Sequence, residues 1–110
     1  MSSLKGTVIA ITGAGNGIGR ALALKAASQG ADVALSDIKE EPLAQTAEMA
    51  RRHGVRVTTH VVDVASRNGM DAWAQATRTE LGGCDVIINN AGVALLDTLE
   101  DVPYEQFQWV

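Results

Sequence analysis

The chain has 110 residues, 46% of them hydrophobic, a net charge of −4 and a single cysteine. That length suits one small domain with one core, and the aliphatic content excludes a disordered chain. Acidic residues outnumber basic ones, 13 to 9, so there is no basic stripe for nucleic acid, and no apolar run approaches the ~20 residues of a membrane span.

Residues 7–12 form a short apolar run between Gly6 and Gly13, the pattern of a strand buried on both faces. A glycine-dense stretch, Gly13 to Gly19, follows. From about residue 17 to 29 the period turns helical, with Ile18, Leu22 and Ala26 on one face beside Ala21 and Leu24, and Gly30 as the stop. Residues 31–37 read as a second strand. Pro42 marks the first turn of a second helix, with Leu43, Ala47 and Ala50 inward and Gly54 at its end. A third strand spans 55–62. Ser66 is the expected N-cap of a third helix whose inner face carries Met70, Trp73, Ala74, Thr77 and Leu81, and Gly82 and Gly83 stop it. Residues 85–89 form a fourth strand, 90–102 a loop, and Pro103 opens a helical stub that runs to Val110.

Strands alternating with helices imply right-handed parallel crossovers and an α/β sheet. The expected strand order is 3-2-1-4, all parallel, with helices one and two on one face and helix three on the other. The whole of 1–110 is expected to be one domain. With a lone Cys84, the framework owes nothing to oxidation, and Met1 to Gly6 lacks the apolar core of a signal peptide. The expected location is the cytoplasm.

Three signals carry chemistry. The glycine loop between first strand and first helix places backbone N–H groups and a helix N-terminus at the C-terminal end of the sheet, where they attract phosphate. Its spacing, Gly13-x3-Gly17-x-Gly19, is neither G-x-G-x-x-G nor the Gly-Lys-Ser/Thr of a P-loop. Asp37, ending the second strand, can accept hydrogen bonds from a ribose and repels a 2′-phosphate. Asn16 leaves no cation before Gly17 to hold such a phosphate. The third signal is Asn89-Asn90-Ala91-Gly92, at the end of the fourth strand.

Together these motifs resemble the classical short-chain dehydrogenase/reductases. Thr12-Gly13-x3-Gly17-x-Gly19 matches their Thr-Gly-x3-Gly-x-Gly pattern, Asn89 to Gly92 their Asn-Asn-Ala-Gly, and Asp63-Val64 their acidic pair after strand three. The resemblance implies the N-terminal half of a Rossmann-type, seven-stranded fold that binds NAD or NADP. Gly13, Asn16, Gly17, Ile18 and Gly19 would then face the pyrophosphate and adjoining ribose. Asp37 would hold the adenosine ribose, with Ile38 also among the cofactor-binding residues, Asp63 and Val64 would contact the adenine, and Asn89, Ala91 and Gly92 would border the adenosine ribose, with Asn90 partly structural. Asp37 and Asn16 favour NAD over NADP.

The family's Tyr-x3-Lys is not in these 110 residues: Tyr104, the single tyrosine, is followed four positions later by Gln108. No catalytic residue is therefore assigned, and the chain by itself is expected to be inactive. A lysine is needed there to bring a phenol's pKa near neutrality. Ending inside a helical stub, the chain reads as part of something longer. His53 and His60 have no ligand cluster about them, so no metal site is expected. Two alternatives stay open, a non-catalytic half-Rossmann module and an S-adenosylmethionine-dependent methyltransferase, whose loop and acidic ribose ligand are similar. Finally, an unpaired edge of strand four and thin cover over Ile9, Ile11 and Val86 or Ile87 predict a homodimer, joined through that edge or by the stub with Phe107, Trp109 and Val110.

Overall fold

The computed structural model describes residues 3–90. Its elements are β1 (Val8–Ile11), α1 (Gly17–Ser28), β2 (Asp32–Asp37), α2 (Glu40–Arg51), β3 (Val57–Val61), α3 (Arg67–Leu81) and β4 (Val86–Ile88). The strands form one parallel sheet in the order β3-β2-β1-β4. This is the expected topology, and each strand is one to three residues shorter than its apolar run. The stub from Pro103, with Phe107, Trp109 and Val110, lies outside the described residues, as do Ala91 and Gly92.

Strand alternation splits the core in two. Ile9, Ile11, Val33 and Leu35 point to one face and pack under α1 and α2 with Ala23, Ala27, Leu43, Ala47 and Ala50. Val8, Ala10 and Ala34 point to the other and meet Met70, Trp73 and Leu81 of α3. Each fully buried large side chain contributes about 1.5–3 kcal/mol. Ile9 and Ile11 are thus well covered, contrary to expectation. Their parity sets them beneath the two-helix layer, not on the α3 face.

The buried face of α1 also differs from the apolar count. Gly19, Ala23, Ala26 and Ala27 are buried, whereas Ile18 is exposed and Leu22 half-buried. Small residues let the helix lie close on the sheet, so here the residues that pack are not the most hydrophobic ones. In α3 four of the five expected residues, Met70, Trp73, Thr77 and Leu81, are buried and Ala74 is half-buried, and Ser66 Oγ accepts from Gly69 N at 3.0 Å. Gly82, at φ +82°, ends the helix in the left-handed region that favours glycine. Among the described residues, nothing pairs with the outer edge of β4.

Candidate functional site

The C-terminal ends of β1, β2 and β3 open onto one side of the sheet, where three loops meet. The backbone of the first loop turns through Gly13, at φ +62°. Its Ala14 N–H bonds the Ser36 carbonyl at 2.9 Å, so the loop leans on the end of β2. At the end of β2, Asp37 uses both carboxylate oxygens. Oδ2 accepts from Gly15 N at 2.8 Å, and Oδ1 from Lys39 N at 3.1 Å. At the end of β3, Asp63 Oδ1 accepts from Ala65 N at 2.9 Å.

Between these loops lies a cleft of about 270 Å³ lined by Gly13, Asp37, Ile38, Val62, Asp63 and Val64. Its lining combines two carboxylates with aliphatic side chains and contains no Lys or Arg. Ile38 and Val64 are 61% and 40% exposed, which leaves apolar surface available to a flat ligand. A carboxylate has about four acceptor sites, so Asp37 keeps capacity for a donor after its two backbone bonds.

Asn16, Gly17 and Ile18 sit at the start of α1, all exposed. Asn16 is the N-cap residue, but its side chain makes no capping bond, and the first turn holds no acidic residue. The helix terminus therefore presents its positive end without a side-chain partner. Gly19 is buried beneath the loop. A Cβ there would collide with the Gly13 carbonyl and lie 2.6 Å from Asn90 Nδ2. That amide donates to the Gly13 carbonyl at 3.2 Å, which ties the loop to the end of β4. Asn89 Oδ1 accepts from the Thr12 hydroxyl at 3.0 Å.

Gly13, Asp37, Ile38, Asp63 and Val64 thus meet in one cleft, with Asn16, Gly17 and Ile18 at the adjoining helix end. Asn89 stands on the far side of β1. Sequence spacing passed over Val62, which lines the cleft, and over Gly15, Arg20 and Thr46, which shape the loop from behind. Strand alternation signals Val62, since it follows Val61 and turns to the opposite face. Gly15 belongs to the glycine stretch and Arg20 directly follows Gly19, whereas Thr46, in the middle of α2, carries no such signal.

Residues 7–110 match the family model for short chain dehydrogenases. The chain belongs to the short-chain dehydrogenase family. Among its relatives it is 40% identical over 105 residues to EphD, described as a probable oxidoreductase of Mycobacterium tuberculosis, covering 94% of this chain and 18% of EphD. A short chain dehydrogenase structure from Mycobacterium smegmatis superposes with a TM-score of 0.76 at 39% identity, covering 82% of this chain and 38% of that one. Carveol dehydrogenase from Mycobacterium avium, in complex with NAD, gives 0.75 at 29% identity, covering 79% and 36%. The chain therefore spans well under half the length of each of these short-chain dehydrogenase relatives. Among the described residues, no helix is long and apolar enough to cross a membrane, and no three His, Cys, Asp or Glu side chains gather as metal ligands.

Proposed function

We propose that these residues bind the adenosine and pyrophosphate portions of NAD(H) in an oxidoreductase acting at an alcohol or ketone carbon. The observation that carries this reading is the cleft itself, two carboxylates and exposed aliphatic surface beside an uncapped helix N-terminus. Its volume is close to the ~300 Å³ lower end of small-molecule pockets, enough for part of a dinucleotide. Asp37 accepts from the ribose hydroxyls. Ile38 and Val64 cover the faces of the adenine, whose amino group Asp63 can receive. The N–H groups at the start of α1 meet the pyrophosphate. The resemblance assigns Asn89, Ala91 and Gly92 to the border of the adenosine ribose, and of these only Asn89 lies among the described residues.

NAD(H), when bound, supplies the hydride acceptor or donor. The part of this chain is to hold and orient it. A 2′-phosphate would face Asp37 and Asp63 with no cationic side chain in the lining, which supports NAD over NADP. The NAD complex of the carveol dehydrogenase supports the same choice.

Parallel titrations with NADH, NADPH and S-adenosylmethionine test this. Saturable NADH binding, stronger than NADPH binding, is the expected result. Equal affinity for the two dinucleotides overturns the preference, and binding of S-adenosylmethionine in place of NADH overturns the dinucleotide reading. Asp37→Ser combined with Ile38→Arg reverses the preference. The outer edge of β4 supports self-association as a further property, and sedimentation across micromolar concentrations reads it directly, a monodisperse monomer being the contrary result.

A further inference from the structure

Arg20 leaves the first turns of α1 with its side chain behind the glycine loop, on the side away from the cleft. Its Nη2 donates to the Gly15 carbonyl at 2.6 Å, to the Pro42 carbonyl at 3.1 Å and to Gln45 Oε1 at 3.3 Å. Its Nε donates to Thr46 Oγ1 at 2.8 Å. Thr46 is fully buried, and its hydroxyl lies 3.3 Å from the Gly15 carbonyl and 3.2 Å from that of Pro42. Every acceptor is uncharged. The ion pairs among the described residues, Arg52–Glu48 and Arg56–Asp32, do not include Arg20.

A half-buried guanidinium with no carboxylate partner among the described residues is an expensive way to join two helices, since apolar side chains of similar volume would do so without desolvating a charge. What this one holds, besides the Pro42 carbonyl, Gln45 and Thr46, is one residue of the loop, Gly15. Gly15 is fixed from both ends, its carbonyl by Arg20 and its N–H by Asp37 Oδ2 at 2.8 Å. There is no slack between the two. A Cβ on Gly15 would stand 2.7 Å from Asp37 Oδ2 and 3.1 Å from Pro42 Cβ. The Gly15 N–H therefore aims the Asp37 carboxylate, and the Arg20 guanidinium, by holding the carbonyl on the other side of the Gly15 Cα, fixes the residue that carries that N–H.

Given the dinucleotide reading of the cleft, on which this rests, we propose that Arg20 is a positioning residue for ribose recognition, acting on Asp37 through the Gly15 backbone. Arg20 touches no ligand. The planar fork matters because it meets the Gly15 and Pro42 carbonyls, Gln45 and Thr46 at once. A lysine keeps the charge, but its single ammonium cannot meet all four acceptors together.

The test is a double-mutant cycle of Arg20→Lys and Asp37→Ala in the full chain. NADH affinity is read by fluorescence titration, and exchange of the Gly15 amide by NMR. Arg20→Lys is expected to weaken NADH binding about tenfold, a difference of about 1.4 kcal/mol. In the Asp37→Ala background it changes affinity less than about twofold, because the group it positions is gone. The Gly15 amide exchanges faster in Arg20→Lys while the β1 amides keep their protection. Gly15→Ala, which displaces Asp37 from the loop side with Arg20 intact, gives the same affinity pattern and serves if Arg20→Lys does not fold. Effects that multiply in the cycle, or an unchanged Gly15 exchange rate, overturn the relay and leave Arg20 as a clamp between α1 and α2. Absence of NADH binding to the unsubstituted chain overturns the dinucleotide reading, and the ribose assignment with it, whatever the exchange data show.

Discussion

The two ends of the sheet use the same residue type in opposite ways. At the N-terminal end, Asp32 accepts from Arg56 N at 2.8 Å and from its Nε at 3.0 Å, and forms an ion pair with Nη2 at 2.9 Å. Asp85 Oδ2 accepts from Val8 N at 2.8 Å, and Leu4 N bonds the Gln29 carbonyl at 2.9 Å. These groups tie neighbouring strands to each other and close that end. At the C-terminal end, Asp37 and Asp63 bond only loop N–H groups and line an open cleft with exposed aliphatic neighbours. In a parallel sheet the strand ends point all their carbonyl ends one way and the helix N-termini the same way. That end collects unsatisfied donors and is left for a ligand, while the opposite end can be sealed by the chain itself.

The strongest disruption comes from Gly19→Val. The new side chain meets the Gly13 carbonyl and Asn90. It should cost about 3 kcal/mol, at the upper end for overpacking, and abolish ligand binding, as read by denaturant unfolding and NADH titration. Gly17→Ala sharpens the contrast. Its φ is +57°, but no atom lies within 4 Å of the new Cβ, so it should cost only about 1 kcal/mol.

Asp37→Ala and Asp32→Ala test the two ends against each other. The first should weaken NADH at least about tenfold, in line with about 1.5–3 kcal/mol for hydrogen bonds to a charged group. The second should leave NADH affinity unchanged and lower stability by about 1 kcal/mol, since Arg56 is largely exposed. Loss of NADH affinity in Asp32→Ala would break the division between the ends.

The smallest expected effect concerns Cys84, at the closed end. Burial pushes its thiol pKa up, against the opposing hydrogen bonds of the Val86 and Ala10 backbone. Its thiolate is scarce at neutral pH, so alkylation at pH 7.5 should be slower than for an unstructured cysteine peptide and should accelerate on unfolding. Equal rates in folded and unfolded chain would show that end to be more open than described.

The element order, the Ser66 cap, the Gly82 stop and most of the cleft lining were legible because each depends on neighbours along the chain. Cap and turn geometry are fixed by a few consecutive φ and ψ angles, and strand parity by alternation. The glycine loop and Asp37 were readable for the same reason, as both lie at strand ends. Contacts across the fold were not. The apolar count on α1 placed Ala26 on the packed face, but neither it nor the glycine spacing showed that Gly19, Ala23 and Ala27, rather than Ile18, join it there, because that choice depends on how closely the sheet approaches.

By itself, the sequence determined the strand and helix periods, the parallel crossovers they force, and the residue types available at each strand end. Only the tertiary structure decided which distant groups meet. It set Asn90 on the Gly13 carbonyl, Asp37 on the Gly15 N–H and Arg20 on the Gly15 carbonyl. Those bonds join residues brought together by crossovers and by the docking of α1 against α2. Their geometry is set to fractions of an ångström by the packing of whole elements, which no local spacing encodes.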